Sequence, residues 1–246
     1  MAEDRRNVPT SPGGTSSASE IEAFLNKVAA TPTVRPSGGR GRLIFAMDAT
    51  ASREPTWDRA CHLQAEMFQA TETLGGLDVQ LVFYRGFGEC KASAWCSEPA
   101  TLRKRMTSVR CLGGQTQIGK VLGHAINETK RQKVAAMVFV GDAFEEDIDQ
   151  VCARAGELGV LGVPVFLFHE GGNPIAERAF RQIARLTGGA YCPFDSASAA
   201  QLRALLGAVA VFAAGGRPAL EDYGRRHGGE AARLSSQLKA LPGARR

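Results

Sequence analysis

This sequence lacks the ligand patterns of a thiolate or imidazole metal centre. Its six cysteines (Cys61, Cys90, Cys96, Cys111, Cys152 and Cys192) form no CxxC, and its four histidines show no paired spacing. Cys61, Cys152 and Cys192 lie in apolar periodic stretches, where a buried free thiol is expected. Cys90 and Cys96 straddle a short expected strand and would pair only under oxidation. An apolar signal core is also missing from "MAEDRRNVPTSPGGTSSAS". The most apolar run, "LLGAVAVFAAGG" (205–216), is bracketed by Arg203 and Arg217 and falls short of the roughly 18 residues of a membrane span. A cytoplasmic protein without membrane insertion is expected.

A one-sign charge field is absent as well. The formal net charge is +5, but residues 1–42 hold six basic and four acidic groups and residues 215–246 hold seven and three. The remaining 17 basic and 18 acidic groups of residues 43–214 nearly cancel. The basicity belongs to the tails, so nucleic acid is not the expected partner.

What is present is a globular composition, with 44% hydrophobic and 22% charged residues. Residues 1–18 are Ser/Gly/Pro-rich and are expected to be disordered. A short helix and a Pro/Gly linker follow over 19–42. Ser19 and Glu22 have capping-box spacing, and Ile21, Phe24, Leu25 and Val28 form one stripe. From Leu43 to residue 214, continuous apolar strands alternate with amphipathic helices. "RLIFAMD", "DVQLVFYRG", "VAAMVFVGD", "VPVFLFHE" and "AYCPF" read as strands, with "CKASAW" as a short edge strand. Helices are expected from Trp57, over "EPATLRKRMTSV", and over 117–131, 145–158, 174–187 and 198–213. This is the pattern of an α/β fold, a mostly parallel sheet covered by helices on both faces. Residues 215–246 read as a basic tail with a short helix over 229–241, on Ala231, Leu234, Leu238 and Leu241.

Ligands of open parallel sheets bind beyond the carboxyl ends of the strands. The first strand ends in "DATAS", with Asp48, Thr50 and Ser52; "GGQT" places Thr116 before the third helix; the fourth strand ends at Asp142. In an extended exit, positions i, i+2 and i+4 project to one side, so Asp48, Thr50 and Ser52 offer three oxygens together. Two carboxylates and three hydroxyls suit Mg²⁺ or Mn²⁺. Taken singly, Asp48, Asp142 and Thr116 also read as helix caps. Glu145, Glu146 and Asp147 read as an acidic first turn of their own helix.

These residues resemble the metal-ion-dependent adhesion site of the von Willebrand factor A-type domain, Asp-x-Ser-x-Ser with a distant Thr and a distant Asp. Asp48, Thr50 and Ser52 match the first element, Thr116 the second and Asp142 the third. Thr50 replaces the first Ser, and Ala143 stands where a Gly usually follows the last Asp. The resemblance covers 43 to about 214. It implies a six-stranded doubly wound sheet with one antiparallel edge strand, and a Mg²⁺ ion completed by a partner's Asp or Glu. It also implies partners such as AAA-type ATPases or components of a larger assembly.

Enzymatic readings meet specific obstacles. "GGQTQIGKV" (113–121) has most of a phosphate loop, but Val121 stands where a metal-binding hydroxyl is required, and no strand precedes it. Thr50 occupies the place of the second carboxylate of haloacid-dehalogenase-type phosphotransferases, and Ser52 lies in no Gly-x-Ser-x-Gly elbow. A non-enzymatic, metal-dependent protein-binding module is the expectation. A Mg²⁺-dependent phosphohydrolase or NTPase using the same carboxylates is the alternative. Among the histidines only His169 ends a strand at this edge, where a structural role or a rim contact is expected.

Overall fold

The computed structural model describes residues 23, 26–28, 40–71, 76–194 and 199–226. The expected disordered tail over 1–18, the Ser19 capping box, residues 31–39 of the expected linker over 31–42 and the expected helix over 229–241 lie outside them. Gly41, placed in the linker by the sequence reading, begins the first strand. Val28, the last apolar position of the first helical stripe, is described and wholly buried in the core.

Six strands form one sheet: β1 (Gly41–Asp48), β2 (Leu77–Arg85), β3 (Glu89–Ala92), β4 (Ala136–Gly141), β5 (Val165–Glu170) and β6 (Ala190–Phe194). Their order is β3-β2-β1-β4-β5-β6. All neighbours are parallel except β2 and β3, so the short edge strand is antiparallel as expected. The helices are α1 (Glu54–Gln69), α2 (Pro99–Thr107), α3 (Ile118–Arg131), α4 (Ile148–Val160), α5 (Pro174–Thr187) and α6 (Ala199–Arg226).

Strand periodicity divides the core into two layers. In β1, Leu43, Phe45 and Met47 face one layer with Trp57 and Met67 of α1, Leu102 of α2 and Leu205 of α6. Ile44 and Ala46 face the other layer with Val121 of α3, Val151 of α4 and Phe180 of α5. Both faces of β1 are therefore apolar, which is why its sequence is a continuous hydrophobic run. Val121 is fully buried against the sheet, a placement worth about 2 kcal/mol. The residue that spoils the phosphate-loop pattern is required by the core.

Helix α6 runs further than its sequence pattern indicates. Gly216 breaks it at φ 70°, and Pro218 opens the second arm. A Cβ placed on Gly207 would lie 3.1 Å from the Tyr223 hydroxyl, whereas sixteen residues of straight helix span about 24 Å. The two arms thus fold back on one another, and Leu220 joins the core. Leu220, with Ala219 and Tyr223 beside it, packs on the core, although the sequence reading places these residues in the tail.

Candidate functional site

Strand order reverses direction between β1 and β4. The chain leaves β1 toward β2 and β3, then crosses back to β4, β5 and β6, which opens a crevice at the carboxyl ends of β1 and β4. Met47 pairs with Val140, so Asp48, the last residue of β1, and Asp142, the residue directly after β4, stand on either side of that crevice.

Asp48 is 1% exposed. Its Oδ1 accepts the Thr50 backbone N–H at 2.7 Å, and its Oδ2 accepts the Tyr84 hydroxyl at 3.0 Å. Thr50 Oγ1 lies 3.3 Å from Ser52 Oγ, and Ser52 Oγ donates to Asp142 Oδ2 at 3.0 Å. Asp48, Thr50, Ser52 and Asp142 thus form one hydrogen-bonded chain across the crevice. Neither aspartate caps a helix: Asp48 closes the turn before the 3-10 segment Ala51–Arg53, and α1 begins only at Glu54.

Thr116 does not cap α3 either. That helix starts at Ile118 with Gln117 as its N-cap, without a side-chain bond from it. The Thr116 hydroxyl accepts the Glu145 N–H at 2.9 Å, while its own N–H donates to Glu145 Oε2 at 3.2 Å. Thr116 is therefore joined to the segment three residues beyond Asp142.

The acidic run after β4 also departs from expectation. Helix α4 begins at Ile148, and only Asp147 serves it, as an N-cap accepting from Asp149 N and Gln150 N. Glu146 reaches across and accepts the Ile118 and Gly119 N–H groups of α3. The physical reason is that a helix N-terminus leaves donors unpaired, and the Gln117 amide is engaged with the carbonyls of Arg85 and Gly86.

Electrostatically the crevice is acidic. Burial, and secondarily the charge of Asp142, raises the Asp48 carboxyl above its ordinary range, against the lowering effect of the Thr50 and Tyr84 bonds. Among the described residues no Lys or Arg pairs with Asp48 or Asp142. No group of three or more His, Cys, Asp or Glu suited to a metal occurs among the described residues. The donors are two carboxylates and hydroxyls, a set that fits a hard divalent cation and relieves the charge that burial penalises.

Two further contacts were not legible in the sequence. Arg53, 2% exposed, pairs through Nη1 with Glu170 Oε2, which also accepts the Thr56 hydroxyl at 2.5 Å. The loop after β1 is thereby tied to the end of β5 as well as to β4. His169 is buried; its Nδ1 lies 2.8 Å from the Tyr191 hydroxyl and its ring meets Phe180 edge-on, a structural role. Lys120 donates to the Gly88 carbonyl and to Gln117 Oε1, each at 2.9 Å. The segment before its loop is helix α2, not a strand, so the requirements of a phosphate loop are unmet. All six cysteines are free thiols, Cys90 and Cys96 included; Cys61 and Cys192 are buried as expected, whereas Cys152 is only partly buried.

No family model matches the chain, and no curated protein matches it by sequence. Solved structures do match. The SpRpn10 VWA domain is 13% identical, with 68% of this chain and 94% of that one covered at a TM-score of 0.54. Proximal thread matrix protein 1 from the mussel byssus, in a structure with a zinc-occupied MIDAS motif, is 14% identical. It covers 73% of this chain, which spans 48% of its length, at a TM-score of 0.55. The vWF domain of a type V pili tip protein from Porphyromonas gingivalis is 9% identical, with 69% and 93% covered and a TM-score of 0.55. At these identities the likeness establishes architecture, and with the observed strand order it gives the conclusion that this chain has the von Willebrand factor A-type fold.

Proposed function

We propose that the chain is a divalent-cation-dependent protein-binding module. In this reading Asp48, Thr50, Ser52, Thr116 and Asp142 hold Mg²⁺ or Mn²⁺, directly or through water. The ion then takes a carboxylate from a protein partner. The observation that carries the reading is the Ser52–Asp142 hydrogen bond. It joins the oxygen-rich loop after β1 to the strand-end carboxylate of β4, beside a buried Asp48 with no cationic partner among the described residues. A filled metal site of this type is named for the byssus protein, and a pilus tip protein and an Rpn10 domain share the fold. An AAA-type ATPase or a component of a larger assembly is the partner class the family resemblance suggests. The cytoplasmic assignment rests on sequence; no helix of the described residues is long and apolar enough to cross a membrane.

A non-enzymatic role is preferred because, among the described residues, no histidine or lysine bonds a hydroxyl of the site, and Ser52 is bonded only within the crevice, to Thr50 and Asp142. His169 is turned to Tyr191, and Lys120 to backbone and Gln117.

Thermal melting tests the metal. Saturation at 100 times the dissociation constant adds about 2.7 kcal/mol, or about 5–10 °C for a domain of this size. Mg²⁺ or Mn²⁺ should produce that rise in the wild type and none in Asp142→Ala. Equal melts with and without either ion would remove the reading. Metal-dependent release of phosphate from ATP, lost in Asp48→Asn, would replace it with the hydrolase alternative.

A further inference from the structure

The described surface carries few exposed large apolar side chains, and they are not scattered. Phe87 (85% exposed), Leu112 (47%) and Ile175 (64%) lie at the carboxyl ends of the strands, while Val160 and Leu186 end helices at the opposite edge. Phe87 tips the turn between β2 and β3. Leu112 precedes the Gly113–Gly114 loop, and its N–H donates to the Ala49 carbonyl at 3.0 Å, beside Asp48. Ile175 stands in the first turn of α5, just past β5. In strand order, the crevice of Asp48 and Asp142 at β1 and β4 lies between the β2–β3 turn that carries Phe87 and the β5–α5 connection before Ile175, with Leu112 beside Ala49 at the end of β1.

The backbone segments that carry Phe87 and Ile175 are anchored. Arg85 makes two 3.0 Å bonds to Glu89 across the base of the Phe87 turn, and together with Lys91 it holds the Glu89 carboxyl down to about 2. Within the turn, the Gly86 carbonyl accepts Gln115 N–H and the Gly88 carbonyl accepts Lys120 Nζ. Asn173 caps α5 through the N–H groups of Ile175 and Ala176. Exposed, pre-positioned apolar side chains beside a polar centre are the composition of a binding surface.

The spacing of the strands that carry them sets the length of an occupant. From β2 to β5 the sheet crosses three inter-strand intervals, about 14 Å in all. In an extended peptide, residues i−2, i and i+2 share one face, and the outer two are separated by about 13.5 Å. We propose that this face recognises an extended protein segment of the pattern apolar-x-(Asp/Glu)-x-apolar, lying across the strand ends. Its central carboxylate meets the crevice, one apolar side chain packs on Phe87 and Leu112, and the other packs on Ile175. Glu54 and Glu145 are exposed beside the crevice, so acidic residues at the intervening positions are disfavoured. The proposal rests on the metal-binding reading for its central contact and on the apolar rim for its selectivity.

The test uses the full chain and four blocked pentapeptides: Leu-Ser-Asp-Ser-Leu, Ser-Ser-Asp-Ser-Ser, Leu-Ser-Asn-Ser-Leu and the shifted Ser-Leu-Asp-Leu-Ser. Affinities are measured by NMR titration in Mg²⁺ and in EDTA. A flank that buries about 60 Å² of apolar surface is worth about tenfold. Leu-Ser-Asp-Ser-Leu should therefore bind in Mg²⁺ at least about tenfold more tightly than the serine-flanked or shifted peptide. Phe87→Ser and Ile175→Ser should each remove about tenfold of that preference while the Mg²⁺-induced melting shift stays at the wild-type value. Equal Mg²⁺-dependent binding of the leucine- and serine-flanked peptides overturns the rim and leaves the metal reading standing. Equal binding of the Asp and Asn peptides, unchanged in EDTA, removes the metal reading while the leucine preference keeps the rim. A shifted peptide that binds as well refutes the extended spacing, and absence of binding by every peptide refutes the proposal.

Discussion

Tyr84 donates its hydroxyl to Oδ2 of Asp48 at 3.0 Å from the neighbouring strand, where the two residues are register partners. Tyr84 is fully buried, and burial followed by the charge of Asp48 lifts its own titration well above the ordinary range, so it stays a donor. The bond holds one carboxylate oxygen in place and lowers the Asp48 carboxyl, against burial. Tyr84→Phe leaves the ring packing but removes the donor. It should cost about 2 kcal/mol, the usual range for a hydrogen bond to a charged group, and weaken Mg²⁺ or Mn²⁺ binding about tenfold, as loss of a ligand's supporting contact does. Melting with and without metal measures both effects.

Asp48→Asn separates the cost of the site from its use. The amide oxygen can still accept the Thr50 N–H, while its NH₂ donates to the Tyr84 oxygen in place of accepting from it, and the buried charge that faces Asp142 is removed. The metal-free variant should melt at or above the wild type, by up to about 2–4 °C if about 1 kcal/mol of repulsion is relieved. Its response to Mg²⁺ or Mn²⁺ should vanish. A metal-free variant that melts well below the wild type would show that the carboxylate supports the fold.

The same group sets a pH dependence. Because the folded-state value of Asp48 is raised, the folded protein binds its proton more tightly than the unfolded chain does. Asp48 therefore contributes a penalty at high pH that disappears as pH falls through the raised value toward the ordinary carboxylate value. Metal binding requires the ionised form, so the metal-induced melting shift should shrink over that same window. Tyr84→Phe, which removes a lowering contact, should move the loss of the metal response to higher pH. Melts across a pH series, with and without Mn²⁺, read both trends.

The strands and the crevice were legible because their causes are local. Leu43–Met47 is apolar at every position because both faces of β1 are covered, and Asp48 and Asp142 interrupt apolar runs where strands end. What links these residues across the sheet was not legible. Glu146 reads as part of its own helix because the sequence shows an acid-rich helix start, and only tertiary packing brings it to Ile118 and Gly119. Thr116 has the residue type of a cap, yet its hydroxyl is taken by the Glu145 N–H. Tyr84 looks like an ordinary strand aromatic until strand pairing places it beside Asp48. The fold-back of α6 was signalled by Gly216 and Pro218, but an apolar pattern ending near residue 214 obscured the second arm.

Arg53 and Glu170 brace the loop after β1. Their ion pair is on the buried Arg53 side, with Thr56 sharing the carboxylate. Removing one member strands the other, at about 3 kcal/mol or more. Glu170→Gln should therefore lower the melting temperature by about 6–12 °C. It should also weaken metal binding, because Thr50 and Ser52 lie in the braced loop. Arg53→Met with Glu170→Gln should recover part of the loss, since no charge is left buried alone. If the double variant is as unstable as the sum of the singles, the pair is not coupled and the brace is absent.

Gly114 provides a sharper probe of the loop that carries Thr116. A Cβ there would sit 2.1 Å from the Gly86 carbonyl oxygen, whereas one on Gly113 would meet nothing within 4 Å. Gly114→Ala must push the loop away from the β2–β3 turn and disturb the Gln115–Gly86 hydrogen bond. The expected cost is about 1–3 kcal/mol, as for other forced overpacking, together with a weaker metal response because Thr116 moves with the loop. Gly113→Ala, one residue away, should leave both quantities within about 0.5 kcal/mol of the wild type. Comparing the two variants isolates close approach from loss of glycine itself. If they behave alike, the glycines serve backbone freedom alone, and contact with Gly86 does not position Thr116.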